Sequence, residues 1–405
     1  MSSELRRSLS LPVLVLYGVG TTVGAGIYAL TGKVAGMAGM LAPVSFALAS
    51  ALAAFTAFSF AELGGRLPHS AGEAVYVREG LRAPLLGLIV GLLVVLSGSV
   101  SAATISNGFA GYLGELLPVS RASAAVGIVI AMGLLTAWGV RESVGVAAVI
   151  TLIEVGGLLV VIGAASGHLI ELPSRLHELT PGSAGWPGVF SASLLAFYAF
   201  LGFEDMVNVA EEVKDVRRTL PRAILWTLAI TVALYLALSI SCVLVVPPEE
   251  LGGSDAPLAL VIERVTGRTP VGISLVALLA MMNGALVQII MASRVLYGLS
   301  RDGQILAAFA RVDPRTRTPL LATAVVTAFV ALLAAGFELA ALAEAAALIT
   351  LVVFAGVNLA LVGLKRRSDP PEGVIGCPLW VPCCGFAVSV GALLWRFLDA
   401  IRPAG

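Results

Sequence analysis

Long apolar runs follow one another from one end of this chain to the other, cut by short clusters of polar, charged, glycine and proline residues. Read at those cuts, the pattern predicts eleven membrane-spanning helices over 9–31, 40–63, 84–113, 122–139, 143–166, 187–209, 220–246, 270–298, 319–337, 340–364 and 378–399. A helix needs about 20 predominantly apolar residues to cross the hydrocarbon. A transmembrane barrel would instead show segments of about ten residues with alternating polarity, which this pattern does not resemble. Two segments, 84–113 and 270–298, exceed the thickness of a bilayer and predict strongly tilted helices. The longest connections on the side opposite the first residue, 167–186 and 247–269, have room for a surface helix or a lid but not for a soluble domain.

Two of the apolar runs are spoiled near their middle. The first contains "GVGTTVGAGIYALTG", with five glycines in the fifteen residues 18–32, and the sixth contains "FYAFLGFED". Glycine costs a helix about 1 kcal/mol per position relative to alanine, so the interruptions call for a reason. Taken alone, an apolar stretch preceded by Arg6 and Arg7 also fits a signal peptide; ten further spans displace that reading. Glycine packing accounts for Gly20 and Gly32. The first and sixth spans lie five helices apart and so run in opposite directions. Interrupted helices at corresponding places in two oppositely oriented halves point to an inverted-repeat transporter. Freed backbone groups find no partner in lipid. The N-terminus of a half-helix favours an anion, whereas unwound carbonyls favour a cation, and together they suit a zwitterion such as an amino acid.

Composition agrees. The chain has 405 residues, 58% of them apolar and 12% charged, with a mean hydropathy of +0.98; about 25% charged is usual for a soluble domain. The net charge of zero says little, but the distribution of charge says more. Eighteen of the 25 lysines and arginines fall on the side of residue 1 and seven on the other, which predicts a cytoplasmic N-terminus and, with eleven spans, an external C-terminus in the cytoplasmic membrane. The four cysteines, Cys242, Cys377, Cys383 and Cys384, form no disulfide framework and read as small apolar filler. His69, His168 and His177 all fall in connections without metal-ligand spacing. Neither a nucleophile elbow nor a phosphate loop occurs. An enzyme is therefore not expected, nor is a cofactor, a bound metal or a nucleic acid; the oligomeric state is open.

Ionisable residues within spans are costly and mark functional candidates. Glu154 stands in mid-span in "TLIEVGGLLVVIG", and Glu204 and Asp205 lie in the sixth span. The third span carries the polar stripe Ser97, Ser99, Ser101, Thr104, Ser106 and Asn107, which reads first as helix packing. Asn283 and Gln288 lie in the eighth span, and Asn283 suits a site wall and an interhelical hydrogen bond equally.

Four stretches, in order, resemble the amino acid–polyamine–organocation permeases: "GVGTTVGAGIYALTGKVAGMAG", "LPHSAGEAVYVREGL", "FYAFLGFEDMVNVAEEVKDVRRTLPRAI" and "MASRVLYGLSRDGQILAAFARVDPRTRTPLL". The resemblance implies an all-α polytopic fold of two inverted five-helix repeats, spans one to five (9–166) and six to ten (187–364), with one accessory span (378–399). It implies alternating-access amino acid transport driven by protons or by exchange, with a polyamine or organocation exchanger, or a sensor of the same fold, as alternatives. By the same resemblance Thr22, Gly24, Ala25 and Gly26 line the substrate cradle, largely through backbone groups. Tyr198, Ala199 and Gly202 match the second break, with Tyr198 as the aromatic that closes over substrate. Glu204 matches an acid that couples gating or protons. In several relatives a lysine of the fifth span occupies the place of a sodium ion. Glu154 stands there instead, and as a carboxyl it can carry a proton or recruit a cation rather than imitate one.

Overall fold

The computed structural model describes residues 9–68, 72–139, 144–171, 173–178 and 185–401. Of the residues singled out above, Arg6, Arg7, His69 and the side chain of Ala25 lie outside what is described. Fifteen α-helices occur among the described residues: α1 (Leu11–Thr22), α2 (Ala25–Ala38), α3 (Ala42–Arg66), α4 (Gly72–Leu81), α5 (Pro84–Gly114), α6 (Arg121–Trp138), α7 (Val144–Ala165), α8 (Gly185–Ala199), α9 (Val216–Val245), α10 (Pro248–Gly253), α11 (Pro257–Thr266), α12 (Val271–Arg301), α13 (Leu320–Gly336), α14 (Leu339–Lys365) and α15 (Trp380–Ile401). The only β pairing among them is a single parallel bridge between Leu9 and Val213.

Nine helical stretches are long and apolar enough to cross a membrane, and α1 and α13 add two shorter apolar helices. One of the nine, 41 residues long, joins α2 to α3 through the 3₁₀ turn Gly39–Leu41. Most bounds follow the polar cuts of the sequence to within a few residues, but the first span, predicted to end at 31, runs on to Ala38. Leu152, Val160 and Leu332 are at least 60% exposed, as the outer face of a lipid-embedded bundle should be. The interior is small and aromatic: Phe60, Phe203 and Phe354 meet edge-on or tilted with ring centres 5.5–5.9 Å apart.

Both expected interruptions exist, and they differ in form. In the first span, α1 ends at Thr22, Val23 and extended Gly24 carry no helix, and α2 starts at Ala25. In the sixth span, predicted as one helix over 187–209, α8 stops at Ala199. After Gly202 the chain continues as a 3₁₀ helix, Phe203–Glu212. Gly202 sits at φ +124°, a conformation open to glycine and hostile to other residues.

The connection 247–269 folds into α10 and α11, and both lie against α2. Gly32 and Gly36 allow this contact, since a side chain on either would collide with the backbone of Leu251 or Gly252. Lys33 donates to the Gly252 carbonyl at 2.8 Å, and Asp255 pairs with both Lys33 and Arg121. One end of the first span is thereby roofed by a short helical lid. On the arginine-rich side, the short helix α4, packed against α5 and α14, fills a connection for which the hydrophobic pattern gave no separate element.

Candidate functional site

The two breaks meet. A Cβ on Gly26 would lie 2.6 Å from the Ala199 Cα, and one on Gly202 would collide with the Thr21 carbonyl. The Thr21 hydroxyl donates to the Gly202 carbonyl at 3.0 Å. Behind this crossing, the Tyr235 hydroxyl of α9 lies 2.8 Å from the Thr22 carbonyl and 3.0 Å from the Ala199 carbonyl. One hydroxyl thus serves the freed carbonyl ends of both interrupted helices. Glu204 closes the second break from the other side, accepting from the Gly202 N–H at 2.8 Å.

In front of the crossing lies a cavity of about 670 Å³, its open mouth included. Thr22, Gly24 and Gly26 form one wall, Tyr198 and Asp205 another, and Asn283 and Gln288 of α12 a third. A Cβ on Gly24 would meet nothing within 4 Å, so the backbone there faces open space. Tyr198 is held by reciprocal contacts with Ser101 of α5, at 3.2 Å to its hydroxyl and 3.3 Å to its carbonyl. A second cavity, of about 420 Å³ with its open mouth included, shares Ser101, Leu201, Asp205 and Gln288 with the first and adds Glu73, Glu204 and Thr350. Glu73, on the short helix α4, is buried, and burial pushes its carboxyl up to about 7.

Of the residues singled out in the sequence, nine line the first cavity: Gly20, Thr22, Gly24, Gly26, Ser101, Tyr198, Asp205, Asn283 and Gln288. Ala199 and Gly202 belong to the contact between the breaks rather than to its wall. Glu204 faces the second cavity. Glu154 lines neither; it is buried in α7, and its backbone carbonyl accepts from the Tyr28 hydroxyl at 2.6 Å. The polar stripe of α5 divides. Ser99, Thr104 and Ser106 bond carbonyls of their own helix, as packing residues do, whereas Ser101 faces both cavities. Thr21 and Tyr235 did not stand out in the sequence. A threonine or tyrosine in an apolar helix carries no local signal that its hydroxyl reaches another helix's break.

This arrangement can be set beside proteins already known. A profile of the amino acid permease family matches residues 9–403. The chain belongs to that family. A branched-chain amino acid permease of Bacillus subtilis is 30% identical over 397 residues, covering 93% of this chain and 84% of its own length. A methylthioribose transporter of the same organism is 29% identical over 97% of this chain and 88% of its own. The vacuolar cationic amino acid transporter 4 of Arabidopsis thaliana is 32% identical over 92% of this chain and 65% of its own length. The resemblance to the amino acid–polyamine–organocation permeases therefore holds along nearly the whole chain of this multi-pass membrane protein. In this family member the cavity walls come from α1, α2, α5, α7, α8 and α12 together with the 3₁₀ turn after the second break.

Proposed function

We propose that the protein is a secondary transporter of amino acids, working by alternating access with its substrate held at the crossing of the two broken helices. The observation that carries this reading is the pair of interrupted helices abutting one cavity, with open backbone at Gly24 on its wall. The N-terminus of α2 offers amides and positive dipole charge to an α-carboxylate. The hydroxyl and amide side chains of Thr22, Asn283 and Gln288 complete a polar cradle, Ala25 contributes backbone at the start of α2, and Tyr198 closes over the substrate. Ala199 and Gly202 keep the two breaks in contact. The family membership and the amino acid permeases among the relatives support the same substrate class.

In this reading 9–166 and 187–364 are two inverted repeats and 378–399 an accessory helix, in a cytoplasmic membrane with the N-terminus inside. The drive is a proton gradient or exchange. Glu154 carries the coupling proton, and Glu204, which caps the second break, transmits occupancy to the cytoplasmic side. Purified protein in liposomes is expected to accumulate labelled amino acids down an imposed proton gradient or against a preloaded amino acid. Absence of uptake under both conditions refutes the reading. Glu154→Gln is expected to keep the folded protein and substrate exchange but to abolish pH-driven accumulation; unchanged pH dependence removes Glu154 from the coupling.

A further inference from the structure

The cavity at the breaks contains one charged group that the zwitterion reading leaves unused. Asp205 lies in the first turn after the second break, its N–H donating to the Gly202 carbonyl at 3.2 Å. The residue is 4% exposed, and its side chain lines both cavities where they join. Among the described residues no hydrogen bond or ion pair reaches its carboxylate. The charged neighbours that act on it, Glu204 and Glu73, are themselves acidic. A buried, uncompensated carboxylate is expensive.

The same chain shows what it does with a buried acid of purely structural use. Glu62 is fully buried and is met by Arg66 at 2.7 Å, Lys365 at 2.7 Å and the Cys377 N–H at 2.8 Å. Asp205 has nothing comparable. The other polar groups beside it, on Ser101 and Gln288, are neutral, so its charge is compensated either by a proton or by a cationic group brought by a ligand. A ligand whose head is held at Gly24 and Gly26 has Asp205 farther along the same cavity, with the second acidic cavity beyond.

We propose that Asp205 selects substrate: it pairs with the side-chain ammonium or guanidinium of a cationic amino acid whose α-groups are held at the two breaks. This inference rests on the amino acid reading above and narrows it. Neutral amino acids fill the cradle but leave Asp205 uncompensated, so they bind more weakly.

The test compares binding of L-lysine, L-arginine, L-norleucine and cadaverine to the purified full-length protein by scintillation proximity. Norleucine is lysine without its side-chain ammonium, and cadaverine is lysine without its carboxylate. Lysine or arginine is expected to bind at least about tenfold more tightly than norleucine, the scale set by one desolvated charge pair. Asp205→Asn is expected to collapse that ratio, and Asp205→Glu to retain part of it. Norleucine binding as tightly as the cationic amino acids in the unmodified protein overturns the inference and leaves the amino acid reading intact. So does a ratio that survives Asp205→Asn. Cadaverine binding as tightly as lysine, or no amino acid binding at all, overturns the amino acid reading itself. If Asp205→Asn does not fold, the ratio measured in the unmodified protein decides alone.

Discussion

Gly24 and Gly26 stand two positions apart, yet the space around them differs. Gly24 faces the open cavity, while Gly26 is pressed against the backbone of Ala199. Gly24→Ala is therefore expected to leave thermal stability unchanged and to lower substrate affinity, because the added methyl projects into the cradle. Gly26→Ala is expected to cost stability as well, since the two backbones must separate, and overpacking of this kind costs about 1–3 kcal/mol. Melting in detergent with and without substrate separates the two. Equal loss of stability in both variants contradicts the distinction drawn between cavity wall and helix crossing. Tyr235 belongs to the same scale. Its hydroxyl at the Thr22 and Ala199 carbonyls gives freed backbone acceptors a partner that lipid cannot supply.

Between elements, two polar fasteners join helices that are distant in sequence. On the arginine-rich side, Glu62 of α3 gathers Arg66, Lys365 of α14 and the N–H of Cys377, and Lys365 also donates to the Cys377 carbonyl at 2.6 Å. This ties the chain leading into α15 to α3 and α14. Deeper, Asn358 of α14 bonds Thr56 and Ser59 of α3 at 2.8 and 2.6 Å. Gly385 leaves α15 room to pack against that amide. Glu62→Gln removes the charge that Arg66 and Lys365 share and is expected to destabilise the protein by about 3 kcal/mol, read as a lower melting temperature in detergent. A melting temperature within error of the unmodified protein contradicts the fastening role. The lid on the opposite side is held differently. The ion pairs of Asp255 with Lys33 and Arg121 are part-exposed and worth little individually, so close glycine packing at Gly32 and Gly36 does most to seat it.

For the whole molecule, the distribution of 18 lysines and arginines against 7 predicts an orientation that can be tested directly. If the proposed eleven spans and cytoplasmic N-terminus hold, alkaline phosphatase fused after residue 405 is expected to be active and green fluorescent protein dark at the same site. The reverse result means an even number of crossings or an inverted topology. Much of the architecture is legible in the sequence. Apolar runs of the required length have few alternatives in a bilayer, so most predicted spans lie close to a helix of the structure, and the two interruptions were visible as glycine clusters. The 3₁₀ course of Phe203–Glu212 was not, because its apolar and polar positions also fit an α-helix.

Where the side chains converge is a different matter. Hydrophobic length and glycine content act along the chain, and they determined that this is a helical membrane protein with broken first and sixth helices. That Gly202 touches Thr21, that Tyr235 serves both breaks, and that Asp205 rather than Glu154 lines the cavity follow from how the helices pack. Glu154 stands alone in its apolar span and Asp205 follows Glu204 in another, but neither sequence setting says which carboxyl faces a cavity. Rotation of each helix about its own axis, set by close packing of many small residues against their neighbours, turned one toward the cavity and the other away from it.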